Sequence, residues 1–246
     1  MNLLIDIGNS RLKWATQVDG NIAFGDSIDY RVTAFIKHLH KGWQFSESPS
    51  HIVLASVASE TIALEVLTFC RDLWPNSTPR IPRATAYAYG VSNAYARPES
   101  LGIDRWLGIL GAFKEYADDV CIVDCGTAIT LDVVSKTGQH LGGLIAPGLS
   151  MMTKALVAET ALLKEVQPTA RTMLATETRQ AIASGIVMAV VGLIEGSLSR
   201  WAPNARLILT GGDAEFVSEA LSLTNILDPL LVFRGLALFC GEDALL

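Results

Sequence analysis

Two acidic phrases in this chain have the spacing for phosphate chemistry. The first, Asp6-Ile7-Gly8-Asn9-Ser10, ends an apolar run that begins at Leu3, and Lys13 follows it. The second, Asp124-Cys125-Gly126-Thr127, ends an apolar run that begins at Val120, with Thr130 and Asp132 beyond it. Each reads as a β-hairpin with a carboxylate at the end of a buried strand and a glycine in the turn. Such a glycine lets backbone approach a ligand with no side chain in the way. Asn9, Ser10, Thr127 and the turn amides can bond phosphate oxygens, and Lys13 can neutralise their charge. Asp6 can hold Mg²⁺ directly or through water, because Mg²⁺ carrying a nucleotide takes only one or two protein carboxylates. For either phrase alone, a tight turn with a backbone-bonding Asp explains the residues as well. Two copies in the same strand-turn-strand setting favour a pair of phosphate hairpins, on half-domains facing each other across a transfer cleft. Asp132 shares a strand face with Thr130; it is either part of that site or a solvated strand carboxylate.

Three other phrases carry chemistry. In Leu101-Gly102-Ile103-Asp104-Arg105, the acid and the base fall in the opening turn of a helix. A helix N-terminus favours anions. Asp104 could accept a proton from a hydroxyl there, and Arg105 could hold a carboxylate or phosphate. An Asp that only complements the helix dipole fits the spacing equally. Thr210-Gly211-Gly212-Asp213 takes a strand into a helix with bare backbone at the junction and Asp213 as N-cap. It would present its backbone to a flat ligand or phosphate, or simply satisfy a strand-helix turn. Gly142 to Gly148 places glycines around another strand end, for substrate approach or strand packing. The chain has neither a Gly-x-Ser-x-Gly phrase nor a Gly-x-x-x-x-Gly-Lys-Ser/Thr phrase, so hydrolase triads and P-loops have no support.

The elements that must position these residues follow from periodicity. Strands are expected at 2–8, 11–18, 22–28 and 51–57, with helices at 30–41 and 61–74 and a short strand near Arg80. A helix from Ile103 leads to a second series: strands at 119–124, 128–135 and 140–145, and a helix after Pro147-Gly148. A long helix near 177–201, a strand at 206–209, a helix at 213–221 and a last helix near 232–240 complete it. Both series begin with three strands. No Ser/Gly-rich linker separates them.

Composition narrows the class. The chain has 246 residues, 50% hydrophobic and 18% charged, enough for a sizeable core. Its net charge is −6 and it has no Lys/Arg run, so no nucleic-acid partner is expected. Asp6 interrupts the first apolar run, which argues against a signal peptide. The apolar stretch 181–194 is shorter than the ~20 residues that cross a bilayer. No membrane association and a cytoplasmic location are therefore expected. The four cysteines, Cys70, Cys121, Cys125 and Cys240, read as buried thiols.

Together the phrases resemble the type III pantothenate kinases of the acetate and sugar kinase/Hsp70/actin superfamily. The resemblance rests on five pieces in order: Asp6-x-Gly8-Asn9-Ser10-x-x-Lys13, Leu101-Gly102-x-Asp104-Arg105, Asp124-x-Gly126-Thr127-Ala128-x-Thr130-x-Asp132, Gly142-Gly143-x-Ile145-x-Pro147-Gly148, and Thr210-Gly211-Gly212. It implies an α/β fold of duplicated actin-like (ribonuclease H-like) lobes, with mixed β-sheets flanked by helices. The lobes would be 1–100 and 101–246, with a hinge and interlobe helix near 101–117. It also implies a homodimer that phosphorylates pantothenate with ATP, Mg²⁺ and K⁺ or NH₄⁺, at the first step toward coenzyme A. By the resemblance, Asp6, Gly8, Asn9, Ser10, Lys13, Thr127, Gly211 and Gly212 would hold ATP and Mg²⁺. Asp104 would be the general base. Tyr95, Gly102, Ile103, Asp104 and Arg105 would contact pantothenate, with Thr178 reaching it across the dimer interface. Asp124 would sit at the monovalent-cation site. Glu177 stands before Thr178, where the family often has Asn. The competing functions are a non-catalytic regulatory protein of this fold and a related small-molecule kinase.

Overall fold

Alternating and continuous apolar runs build the first sheet. A computed structural model describes residues 1–32, 34–45, 47–159 and 166–241. Strands β1 (Asn2–Ile7), β2 (Leu12–Val18) and β3 (Asn21–Ile28) form an antiparallel meander. Helix α1 (Phe35–Gly42) leads to β4 (His51–Ser56), which pairs parallel to β1. The sheet order is β3-β2-β1-β4, and the main chain of Arg80 adds one parallel bridge beside Val53. One face carries Leu3, Ile5, Ile7, Leu12, Trp14, Ile52 and Leu54. It is covered by α1 and α2 (Glu60–Leu73), which contribute Phe35, Leu39, Val66, Leu67 and Cys70. Burying each large aliphatic side chain there stabilises the fold by roughly 1.5–3 kcal/mol.

Helix α1 starts five residues later than its periodicity predicts. Asp29 accepts bonds from the Arg31 N–H at 3.0 Å and from the Arg31 guanidinium, which holds this stretch in a turn. Side chains of this type compete with the helix for the backbone.

The short hairpin of β5 (Tyr87–Ala88) and β6 (Val91–Ser92) precedes α3 (Ile103–Tyr116). The second sheet repeats the first sheet's order. Strands β7 (Val120–Cys125), β8 (Ala128–Val134) and β9 (His140–Pro147) are an antiparallel meander. Helices α4 (Leu149–Ala158) and α5 (Thr178–Trp201) lead to β10 (Arg206–Thr210), which is parallel to β7. After α6 (Ala214–Ala220), β11 (Ile226–Leu227) adds a parallel edge, giving the order β9-β8-β7-β10-β11. Its core face, Cys121, Val123, Cys125, Ile129, Leu131 and Leu209, packs on Ile186, Val187, Val190, Val191 and Ile194 of α5. At 24 residues α5 matches the long helix expected near 177–201, and as a whole, unlike the apolar stretch 181–194 within it, it is long and apolar enough to cross a bilayer. One side of it is nonetheless buried in this core, as in the core helix of a globular domain.

The packing divides the chain into two compact units, Met1–Glu115 with Leu230–Leu246, and Tyr116–Pro229. The sequence reading sets its boundary near residue 100; the contacts keep 101–115 with the first unit instead. The cause is helix α7 (Leu231–Ala237), which packs on the face of β1 and β4 opposite α1 and α2. Helices α3 and α7 cross closely at glycines. A Cβ on Gly111 would meet the Leu231 carbonyl at 2.5 Å, and one on Gly235 would meet the Leu107 carbonyl. Arg80 ties the chain end down by donating to the carbonyls of Phe239 and Gly241, at 2.8 and 2.7 Å.

All four cysteines are free and buried. Burial pushes the thiols of Cys70 and Cys121 up to about 12 and that of Cys240 to about 11 from an ordinary 9.0, and it raises Cys125 further. Thiols that stay protonated are poor nucleophiles. The native protein is therefore expected to react slowly with a disulfide reagent at pH 8 and to release four thiols on unfolding. The sign of the linkage follows: the unfolded chain loses these protons near pH 9 while the folded chain keeps them. Stability is then complete below pH 9 and falls as pH rises toward 11–12. Denaturant melts across that range, with rapid native thiol titration as the contrary result, check both.

Candidate active site

The first hairpin places its polar residues on the sheet face away from α1 and α2. Leu3, Ile5 and Ile7 point into the α1/α2 core, so Asp6 points the other way. It is 7% exposed, and Lys13 lies directly opposite it across the β1–β2 ladder. Opposite charges facing across an antiparallel pair attract. The turn is closed by the Gly8 N–H donating to the Arg11 carbonyl at 3.0 Å. Gly8 does not have a left-handed φ, and a Cβ there would meet only the Arg11 carbonyl at 3.4 Å, an ordinary contact. The fold itself therefore tolerates a side chain at residue 8. Asn9 is exposed at the tip and Ser10 half-buried.

The Leu-Gly-x-Asp-Arg phrase opens α3. The Asp104 carboxylate accepts the Arg105 N–H at 2.8 Å and lies over Gly102, where a Cβ would be 2.7 Å from Oδ1. A side chain at 102 would push the carboxylate aside. Arg105 is 8% exposed; its Nη1 donates to the Tyr95 hydroxyl at 2.9 Å, and its guanidinium carbon lies 5.7 Å from the Tyr95 ring centroid. Tyr95 is set by its own amide, which donates to Asn93 Oδ1 at 3.0 Å. Tyr95, Gly102, Asp104 and Arg105 thus form one cluster. A cavity of about 470 Å³ borders it, lined by Leu54, Ser56 and Val57 at the end of β4, by Ala63 and Leu67 of α2, and by Leu101 to Ile103.

In the second unit, the register sets Asp124 between Thr130 on β8 and Thr210 on β10. The turn is closed by Gly126 N–H donating to the Ala128 carbonyl at 3.1 Å, and Thr127 is exposed at its tip. The N-terminus of α4 docks on the same turn, with the Gly148 N–H donating to the Thr127 carbonyl at 3.0 Å. The Thr210-Gly211-Gly212 loop closes over it from β10. Gly211 has a φ of +95°, and a Cβ on it would strike the Asp124 carboxylate and lie 2.5 Å from the Cys125 carbonyl. That carbonyl accepts the Asp213 N–H at 2.8 Å. Burial raises the Asp213 carboxyl above its ordinary value, and its side chain makes no capping bond to α6. Asp124, Gly126, Thr127, Gly148 and Gly211 therefore converge. Thr178 stands apart as the exposed first residue of α5, after a Glu177 that makes no side-chain cap.

Asp132 is not a solvated carboxylate. It is 3% exposed and lies 3.0 Å from Nε2 of the fully buried His140, so it serves the β8–β9 pairing. His140 has no part in the sequence reading: it pairs with Val134 beyond a β-bulge at Val133/Val134, and its reach back to Asp132 leaves no trace in the spacing.

Among the described residues no group of three or more His, Cys, Asp or Glu converges on a metal position. Around Asp124 the donors are oxygens: its carboxylate, the two threonine hydroxyls and the turn carbonyls. Such a set fits a hard cation.

The model of type III pantothenate kinase matches residues 2–200 of this chain. The chain belongs to the type III pantothenate kinase family. A type III pantothenate kinase of Nitrosococcus oceani is 38% identical over 247 residues, 96% of this chain and 92% of that protein. Among solved structures, a putative Baf family transcriptional activator from Campylobacter jejuni is similar at TM-score 0.62 and 24% identity, over 96% of this chain and 95% of that one. The activator of 2-hydroxyisocaproyl-CoA dehydratase from Clostridium difficile, with bound ADPNP, is similar at TM-score 0.57 and 13% identity, over 99% and 95%. At these identities the structural likenesses show the fold alone. With the repeated sheet order they make it actin-like, as the sequence resemblance implied. In this type III pantothenate kinase family member, four of the five sequence phrases centre on strand ends, hairpin turns or helix starts, and the fifth, Gly142 to Gly148, runs along β9 to the start of α4.

Proposed function

We propose that this chain transfers the γ-phosphoryl group of ATP to the primary hydroxyl of pantothenate, giving 4′-phosphopantothenate at the first step of coenzyme A synthesis. The observation that carries the reading is the Asp104 carboxylate at the start of α3, beside the Arg105–Tyr95 pair. A proton acceptor and a cation for an anionic substrate sit together there. Asp104 takes the hydroxyl proton as the oxygen bonds to the γ-phosphorus and the bond to the β,γ-bridging oxygen breaks. In a loose transition state the attacking oxygen becomes acidic late, so a carboxylate suffices. Arg105, oriented by Tyr95, holds the pantothenate carboxylate or the moving phosphoryl group, with Gly102 and Ile103 shaping the pocket.

Lys13 and the amides of Gly8 to Ser10 neutralise and orient the ATP phosphates. Thr127, Gly211 and Gly212 contact ATP from the second hairpin and its loop. Asp6 holds Mg²⁺, directly or through water; bound Mg²⁺ supplies charge neutralisation on the phosphates. Asp124 with its neighbouring oxygens holds K⁺ or NH₄⁺. Replacing K⁺ and NH₄⁺ by Tris is expected to raise KM for ATP with little change in KM for pantothenate. Unchanged kinetics would remove the cation from this reading.

The reading includes a homodimer and a cytoplasmic enzyme. The outer face of α5 supports the dimer: Ala181, Gly185, Met188, Ala189 and Gly192 are exposed and carry no charge. Small residues let helices approach closely. Thr178, on the same helix, would then reach the partner's pantothenate. A coupled ADP-release assay with pantothenate, against a panel of sugars and short carboxylic acids, tests the function. ADP release that depends on pantothenate is expected; release with a sugar alone would favour a related small-molecule kinase.

A further inference from the structure

Residue 30 has no part in the sequence reading beyond opening a helix, yet it touches the phosphate hairpin. The Tyr30 hydroxyl donates to the Gly8 carbonyl at 2.8 Å. Its ring packs against the first unit's core and meets Phe35 edge-on at 6.5 Å. A second tie runs from the same turn to the same segment: Arg11 Nε donates to Ser27 Oγ at 2.6 Å, and Arg11 Nη2 donates to the Ser27 carbonyl. The two ends of the turn, Gly8 and Arg11, are thus fastened to the end of β3 and the residues just after it.

The consequence comes from the planarity of the peptide bond. In a trans peptide the carbonyl of one residue and the N–H of the next lie in one rigid plane and point in opposite directions. Holding the Gly8 carbonyl toward Tyr30 therefore aims the Asn9 N–H away from it. Among the described residues nothing bonds that amide or the exposed Asn9 side chain. A turn amide held with its donor outward suits an anion such as a nucleotide phosphate.

We infer that Tyr30 is a positioning residue for the nucleotide: its bond to Gly8 presets the Asn9 amide toward a phosphate of ATP. The inference rests on the reading of the first hairpin as a phosphate site. Burial also pushes the Tyr30 phenol above its ordinary value, so it keeps its proton, and hence its donor, at neutral and mildly alkaline pH.

The test is Tyr30→Phe, which keeps the ring and removes one hydroxyl. Binding of ATP and of adenosine is measured by calorimetry alongside steady-state kinetics. Net values for one hydrogen bond predict an ATP affinity weaker by roughly 3- to 10-fold. KM for ATP should rise to match, while adenosine affinity, KM for pantothenate and the melting temperature stay near wild type. Unchanged ATP affinity would overturn the inference. Equal losses for ATP and adenosine would overturn it too, because a generally loosened fold does not distinguish phosphates. A wild-type chain that binds neither compound would bring down the hairpin reading itself, and this inference with it.

Discussion

Asp104→Asn is expected to lower turnover by about 10²- to 10⁴-fold, the usual contribution of a positioned general base, and to leave ATP affinity within about 2-fold. The substitution is unusually clean in this setting. Asp104 Oδ1 accepts the Arg105 N–H at 2.8 Å, and the Asn carbonyl oxygen can accept the same bond, so the first turn of α3 keeps its geometry. Asn also matches Asp in size, so the carboxamide fits where the carboxylate lies over Gly102. What disappears is the charge and with it the capacity to take a proton. The first-hairpin residues proposed to bind ATP lie on a different element, β1 to β2, and are untouched. Kinetics with pantothenate, beside calorimetric binding of ATP, separate the two effects. Near-wild-type turnover in the variant would leave Asp104 with only the helix-dipole role that its position also permits.

The contrast between what residues 1–18 and residues 231–237 disclose shows which physics a sequence carries. An apolar run ending in Asp-x-Gly fixes a strand and its turn from neighbours alone, and the β1–β2 and β7–β8 hairpins lie where their residues put them. The apolar residues of α5 recur at helical spacing, and its observed extent, Thr178–Trp201, follows the 177–201 read from the sequence. Helix α7 has an equally plain local signature, but nothing in it says which sheet it covers. That choice depends on the glycine crossing with α3, more than a hundred residues earlier in the chain. The β5–β6 hairpin escaped notice for a different reason. Its turn uses Tyr89 and Gly90 at φ of 50° and 92°, and a tyrosine is not among the residues that advertise such a turn. At the site, the Asp-Arg and Gly-Gly phrases were visible as types and spacing. The Arg105–Tyr95 bond had to come from the structure, because side-chain direction across a loop leaves no periodic trace. Tyr30 escaped for the same reason.

Two glycines from the phosphate motifs should fail in opposite ways when changed to alanine. Gly211→Ala should damage the fold. Its φ of +95° is one that L side chains rarely adopt, and the new methyl would strike the Asp124 carboxylate and sit 2.5 Å from the Cys125 carbonyl. That carbonyl cannot easily retreat, because it holds the Asp213 N–H at the entry to α6. Backbone strain and overpacking together should cost on the order of 3–5 kcal/mol. Since domains of this kind are held by only about 5–15 kcal/mol, a large loss of folded protein in denaturant melts is the expected readout. Gly8→Ala should do the reverse. Its φ is not left-handed, and the methyl would meet only a carbonyl at an ordinary 3.4 Å, so the melt should move by less than about 1 kcal/mol. On the proposed reading the methyl would instead stand where a phosphate approaches the turn amides, and KM for ATP should rise more than about 10-fold, the loss of one charge-assisted bond or more. A Gly8→Ala enzyme that melts and uses ATP like wild type would show that nothing approaches that turn closely. The first hairpin would then be structure alone, and the phosphate contacts would fall to the second.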